Sequence, residues 1–349
     1  MGASTTEQQD VPAGYFIGAY AAAPSLTGWD PAAEAEFLGS VLQLNGVAGL
    51  ELPFTDKLHK YDEDWLFRQL PADASFILTT IPGTMDQLAA NPDFGLASTS
   101  SDGRQEALSF VRTVLQAAER LNTALGRDAV HAIQLHAAPV AAAGKASAAV
   151  LSESLEEVAE WEWNGIRLVL EHCDALMPGC TPAKGFLPLS DEAEAVRRTN
   201  NSSRRPIGMA INWGRSVIEQ RRPEAGFEHL EVLRASGLLG GFTISGCSDV
   251  DTRYGKAWAD VHIPPAPRCG TNGHDISSDN RILEESSLLT VKRLSECIRA
   301  AGPGEETGFR AIKVAAPPNC SVEMRVAAVA QTLDLAQSSS QAPANQPQG

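Results

Sequence analysis

The stretch GIRLVLEHCD, residues 165–174, runs from a glycine through Ile166, Leu168, Val169 and Leu170 into Glu171, His172 and Asp174. A short apolar run bounded by a glycine reads as a buried β-strand, and its C-terminal end delivers a carboxylate. The same figure recurs along the chain. YFIGAY (15–20), VAGLE (47–51), SFILTT (75–80), VHAIQLH (130–136), IGMAIN (207–212), FTIS (242–245) and RAIKV (310–314) are further runs of this kind, and segments of helical periodicity follow them. Strand alternating with helix implies a parallel sheet, and eight repeats imply a closed (β/α)8 barrel.

Working outward, Asp30-Pro31 supplies an N-cap and a first-turn proline for a helix carrying Phe37, Leu38, Val41 and Leu42. A short helix is expected around 65–70, and strand three should stop at Pro82-Gly83. Residues 84–101, with their Gly, Ser, Asn and Pro, read as a long loop before a helix bearing Leu108, Val111, Leu115, Ala118, Leu121 and Leu125. Further helices are expected at about 152–163 and 191–198. Another presents Phe227, Leu230 and Leu233, one presents Leu288, Val291, Leu294 and Ile298, and the last starts near Ser321. The long irregular stretch 246–284, after strand seven, falls over the barrel mouth and reads as a lid. Residues 1–13 are expected to be a flexible leader, 14–336 one barrel domain, and 337–349, rich in Ser, Gln, Pro and Ala, a disordered tail.

The 349 residues carry 28 Lys and Arg against 43 Asp and Glu, a formal net charge of −15. That balance repels phosphate backbones and anionic lipid, so nucleic acid and membrane are not expected partners. With no apolar leader or spanning segment, the chain is expected in the cytoplasm. Its cysteines (Cys173, Cys180, Cys247, Cys269, Cys297 and Cys320) are scattered and expected to be reduced. Neither a GxSxG elbow, a GxxxxGK[ST] loop nor an HExxH helix occurs, so no nucleotide cofactor is expected. A small molecule is the expected partner, with a homo-oligomer also open.

GYFIGAY at strand one, GVAGLELPF at strand two, GIRLVLEHCD at strand five and INWGRS at strand six together resemble the xylose isomerase-like TIM barrels. That superfamily includes sugar isomerases, sugar-phosphate epimerases and endonuclease IV-type repair enzymes. More narrowly, the chain resembles a bacterial family of unknown function within it. The resemblance implies a site at the C-terminal ends of the strands, where a carboxylate closing strand five, acidic and histidine residues on strands six and seven, and a carboxylate on strand eight hold a divalent metal. Glu171 fits that pattern. Asn212 stands where an acidic ligand is usual, and Lys313 replaces the carboxylate of strand eight.

The candidates then sort by chemistry. Glu171 is a metal ligand, an acid or base, or the partner of a rim cation. His172 should face away from it and pack between strand and helix, and Asp174 reads as a turn residue. Glu51 should point inward as a catalytic or ion-paired carboxylate. His136, sharing a face with Gln134, is a ligand, a base or a core histidine. Arg215 either grips an anionic substrate group or bridges to Glu219. Lys313 is a Schiff-base nucleophile, a proton carrier or the partner of Glu171 or Glu51. In the lid, WADVHIPP alternates like a strand, placing Trp258, Asp260 and His262 on one side, suited to a sugar ring and its hydroxyls. His274-Asp275, Ser245 and Trp29, Trp65 and Trp213 are weaker candidates.

Three functions follow. The first is isomerisation or epimerisation of a sugar or sugar acid by proton transfer next to a carbonyl. Glu171 with Glu51 or His136 would be acid and base, and Asn212, Arg215 and His262 would orient the substrate. The second is aldolase-like lyase chemistry at Lys313, and the third a non-catalytic sugar sensor or subunit. A divalent ion (Mn2+, Mg2+ or Zn2+) on Glu171, His136 and His262 is compatible with the first.

Overall fold

In the computed structural model, which describes residues 12–267, 282–302 and 308–341, eight parallel strands close a barrel in sequence order. They are β1 (Tyr15–Ile17), β2 (Val47–Pro53), β3 (Ser75–Thr79), β4 (Val130–Leu135), β5 (Arg167–His172), β6 (Gly208–Asn212), β7 (Leu239–Ile244) and β8 (Arg310–Ile312). The helices around them include α1 (Pro31–Leu42), α2 (Glu63–Gln69), α3 (Ile81–Ala90), α4 (Ser101–Leu125), α5 (Ala148–Ala159), α6 (Leu189–Ser202), α7 (Trp213–Gln220), α8 (Ala225–Ala235) and α9 (Val291–Ala301), followed by a C-terminal helix, Val322–Gln341. None of the described helices is long and apolar enough to cross a membrane.

Local chemistry sets these boundaries. The Asp30 carboxylate accepts from the backbone N–H groups of Ala32 and Ala33, with Pro31 in the first turn of α1, as the sequence predicts. Ser100 caps α4 through the Gly103 N–H, and Gly126, at φ +67°, ends it in the left-handed conformation that glycine adopts without penalty.

Four expectations need correction. The 84–101 stretch is not all loop, because Pro82 sits in the first turn of α3, where its missing N–H costs nothing. Strand one ends at Ile17, and Ala19–Ala21 coils into a 3-10 turn. Phe227, expected on the buried face of α8, is 38% exposed. The C-terminal helix continues to Gln341, so part of the expected disordered tail is helical; 342–349, like residues 1–11, lie outside the described residues.

Strand pleating explains why the site sits where it does. Phe16, Ile77, Ala132, Val169, Ala210 and Ala311 form an apolar layer inside the barrel. Two residues onward along the same inward faces stand Gly18, Thr79, Gln134, Glu171, Asn212 and Lys313, so one pleat converts an apolar plug into a polar floor. Glu51 joins them from β2, in register with Ile77. Gly18 makes room for the lysine: a Cβ there would lie 3.2 Å from Lys313 Cγ.

The approach of β2 to β3 sets the height of Glu51 and depends on Gly49, where a Cβ would fall 1.8 Å from the Ser75 carbonyl oxygen. Backbone cannot yield as a flexible side chain can. Gly49→Ala is therefore expected to destabilise the barrel by about 1–3 kcal/mol or more, measured as a lowered denaturation midpoint. An unchanged midpoint would show that the strands are free to separate.

Candidate active site

The polar floor is occupied by buried ion pairs. Lys313, at 0% exposure, places Nζ 2.7 Å from Glu51 Oε1, which also accepts from the Tyr20 hydroxyl at 3.0 Å. Arg215 reaches from the first turn of α7 to Glu171 Oε2 at 2.8 Å and, through Nε, to Asp260 Oδ2 at 3.1 Å. Lys184 Nζ meets the same Asp260 oxygen at 3.1 Å. Three carboxylates thus face three cations, the balance that keeps buried charge tolerable.

Glu171 is enclosed. His136 Nε2 lies 2.8 Å from its Oε2, and Asn212 Nδ2 donates to Oε1 at 3.4 Å. Burial alone would raise the Glu171 carboxyl, but the Arg215 guanidinium and Lys313 ammonium hold it well below the usual carboxylate range. Burial lowers the His136 pKa against the opposing pull of Glu171; Nε2 faces the Glu171 carboxylate and Nδ1 lies 2.9 Å from Thr80 Oγ1. Burial also opposes the charge on Lys313, yet Glu51, Tyr20 and Glu171 outweigh it and raise its pKa. Lys313 is held as an ammonium.

The lid completes this arrangement differently from the expectation. Residues 258–262 form no strand: Trp258 and His262 take positive φ (+61° and +55°), which breaks the alternation and separates the tryptophan from its neighbours. The Trp258 ring stacks 4.9 Å from the Arg221 guanidinium, while Asp260 turns to Arg215. His262 Nδ1 lies 2.8 Å from Ser245 Oγ and 3.3 Å from Asp260 Oδ1, and burial pushes this imidazole down to about 3. His274 and Asp275 lie outside the described residues.

Glu51, His136, Glu171, Asn212 and Lys313 therefore meet at one mouth, as the strand pattern predicts. Arg215 bridges to Glu171 and Asp260, not to Glu219, which is taken by His172. Asp174 is a turn residue as read, accepting from the backbone N–H groups of Ala183 and Lys184. Sequence reasoning missed Tyr20, Thr80 and Lys184. Tyr20 lies in the 3-10 turn after β1, where strand alternation no longer applies, and Lys184 sits in an irregular loop without periodic signal.

Several polar atoms of the floor have no hydrogen-bond partner among the described residues: Glu51 Oε2, both amide atoms of Gln134 and Thr243 Oγ1. Glu51 also lines a cavity of about 480 Å3 between β1, β2 and the loops above them, with Tyr20, His59, Lys60 and Tyr61 on its walls. Trp29 stacks on Tyr61 at 5.3 Å with the rings 2° from parallel, and Trp65 packs edge-on against Trp29 at 5.7 Å. Trp213, by contrast, is fully buried packing.

The expected metal ligands do not come together. Glu171 and His136 group with Cys173, whereas His262 belongs to Ser245 and Asp260. A divalent ion fits this inner group poorly, because the Arg215 guanidinium touches Glu171 at 2.8 Å and Cys173 Sγ at 3.3 Å.

Removing one member of the Lys313–Glu51 pair leaves a buried charge uncompensated. Lys313→Met is expected to cost about 3–5 kcal/mol, and Lys313→Met with Glu51→Leu to recover most of it, read from denaturation midpoints of the single and double variants. Additive losses would mean that the pair does not couple.

Residues 16–328 match a family described as domain of unknown function (DUF4862). An uncharacterized protein from Salmonella typhimurium strain LT2 is 35% identical over 303 residues, covering 86% of this chain and 89% of its own. Among solved structures, a putative xylose isomerase from Rhodospirillum rubrum superposes with TM-score 0.55 at 12% identity, over 94% of this chain and 99% of that one. A xylose isomerase-like TIM barrel protein from Mycobacterium smegmatis, solved in complex with magnesium, gives 0.50 at 10% identity, over 94% and 98%. Identities this low speak to the fold. The chain belongs to the DUF4862 family, and its fold is that of the xylose isomerase-like TIM barrels.

Proposed function

We propose that this barrel is a cytoplasmic isomerase or epimerase of a sugar or sugar acid, working by proton transfer at a carbon next to a carbonyl with Glu51 as the base. The observation that carries the reading is Glu51 itself: it lines the cavity, one oxygen is held by Lys313 and Tyr20, and the other has no hydrogen-bond partner among the described residues. A carboxylate fixed on one side and free on the other is what abstraction of a carbon-bound proton needs. The Lys313 ammonium stabilises negative charge that develops on the substrate oxygen. His136, backed by Glu171, together with Asn212, Arg215, Asp260 and His262, forms the buried polar frame beside Glu51 and Lys313 rather than the wall of the cavity. The ring of Tyr61, which lines the cavity and is backed by Trp29, suits the apolar face of a sugar ring.

The cavity volume supports a small substrate. Cys173, Cys180, Cys247, Cys297 and Cys320 are free thiols, which supports the cytoplasmic setting. Schiff-base chemistry at Lys313 draws no support, since it requires the neutral amine and this one is raised and ion-paired.

The test is deuterium wash-in from D2O into a panel of aldoses, ketoses and sugar acids, followed by proton NMR. Wild-type protein should exchange one carbon-bound proton of its substrate. Glu51→Asp keeps the charge facing Lys313 but withdraws the base by one methylene, and should slow exchange about 100-fold or more with little change in melting temperature. Tight binding without exchange would make the protein a sensor. Borohydride trapping of a carbonyl ligand on Lys313 would make it a lyase.

A further inference from the structure

The outer face of β5 carries a second cluster of ionisable groups that the barrel site does not use. His172, one residue after Glu171, points away from the barrel axis into the layer of α6, α7 and α8. Its Nδ1 lies 2.6 Å from Glu192 Oε2 and its Nε2 lies 3.0 Å from Glu219 Oε2. His229 on α8 completes the group, with Nε2 3.9 Å from Glu219 Oε1 and its ring edge-on to His172 at 5.3 Å. One donor atom from each of His172, Glu219 and His229 lies within 4.8 Å of the other two.

We propose that His172, Glu219 and His229 form a divalent metal site, with zinc the ion that best fits two imidazoles and a carboxylate. Each donor is held by a further hydrogen bond of the kind that orients metal ligands. Glu192 accepts from His172 Nδ1, which fixes the ring with Nε2 toward the ion. Ser216 Oγ lies 3.0 Å from His229 Nδ1 and does the same for that ring. The Ala175 N–H and the Gln220 side-chain amide donate to the two oxygens of Glu219 at 2.8 and 2.7 Å.

Charge gives an independent reason. His172 faces two buried carboxylates, Glu192 at one ring nitrogen and Glu219 at the other, and burial pushes the Glu192 carboxyl up to about 7. Arg222, in the turn between α7 and α8, pairs with Glu228. Glu192 Oε1 is buried with no hydrogen-bond partner among the described residues. A divalent ion replacing the Nε2 proton of His172 balances both carboxylates, and the His229 side chain, 12% exposed, marks its way in from solvent. The ion would brace β5 from behind, linking the strand that carries Glu171 directly to α7 and α8, and through Glu192 to α6, without touching the substrate.

The experiment strips the whole protein with a chelator and adds back Zn2+ or Co2+. About one Zn2+ per chain should bind with release of protons, the melting temperature should rise, and Co2+ should give the visible d–d absorption of a nitrogen- and oxygen-ligated site of low coordination number. His229→Gln should abolish the Co2+ spectrum and His136→Gln leave it intact. Glu192→Gln, which keeps all three ligands, should weaken Zn2+ binding about 10–100-fold in competition with a chromophoric chelator, and this variant decides the matter if His229→Gln fails to fold. No uptake of either ion, affinity unaltered in Glu192→Gln, or a spectrum lost in His136→Gln and kept in His229→Gln would overturn the proposal. The last result would put the ion inside the barrel. Because the variants are read by metal binding, the outcome is separate from that of the Glu51 exchange test.

Discussion

Buried charge must be paired, and the upper half of this barrel is organised by that requirement. An isolated ammonium in such a place would lose its proton, and an isolated guanidinium, which keeps its charge, would destabilise the fold. Lys313 and Arg215 are retained because Glu51, Glu171 and Asp260 stand within 2.7–3.1 Å of them. The pairing reaches across the fold: β2 to β8 through Glu51 and Lys313, β5 to α7 through Glu171 and Arg215, α7 to the lid through Asp260. Ion pairs so deeply buried add little net stability, since desolvation offsets most of their attraction. What they do is fix the geometry of a polar floor that water would otherwise blur.

That constraint distinguishes the site from the metal centre its superfamily resemblance implies. A divalent ion on Glu171 would have to share one carboxylate oxygen with a guanidinium already 2.8 Å away, beside an ammonium that also lowers the Glu171 pKa. At such separations like charges repel by several kcal/mol even at an effective dielectric of about 20. Lys313 where a carboxylate ligand would stand, and Arg215 against Glu171, replace mobile positive charge by covalently tethered charge. Enolate-forming chemistry needs a positive centre near the developing oxyanion, and either arrangement supplies one.

The barrel was legible from sequence because its signal is redundant. Eight apolar runs with polar ends each mark a strand, and alternation alone places Glu51, His136, Glu171, Asn212 and Lys313 on one inward-facing surface. Partnership was not legible. Nothing in the spacing says that Arg215 passes over Glu219, one turn away on its own helix, to reach Glu171 and Asp260. That choice depends on where α7 begins, and it begins at once because the Asn212 side chain caps it. The lid failed for a related reason: WADVHIPP has strand-like alternation, but two residues with positive φ turn it into a knot of hydrogen bonds. The 84–101 loop was misread because proline both stops strands and starts helices.

Residues 171 and 172 meet this constraint from both sides of one strand. Consecutive side chains on a strand face opposite ways, so a single dipeptide serves two environments that never meet. Glu171, inward, is neutralised by side chains that the fold itself supplies and whose charge cannot dissociate. His172, outward, sits between two carboxylates, Glu192 and Glu219, in the helix layer. The two faces meet the same electrostatic problem with different means: tethered cations at the barrel mouth, and on the outer face an imidazole shared between two carboxylates. Because β5 is shared, one residue of backbone joins the outer cluster to Glu171, and the Arg215 guanidinium continues that connection to Asp260.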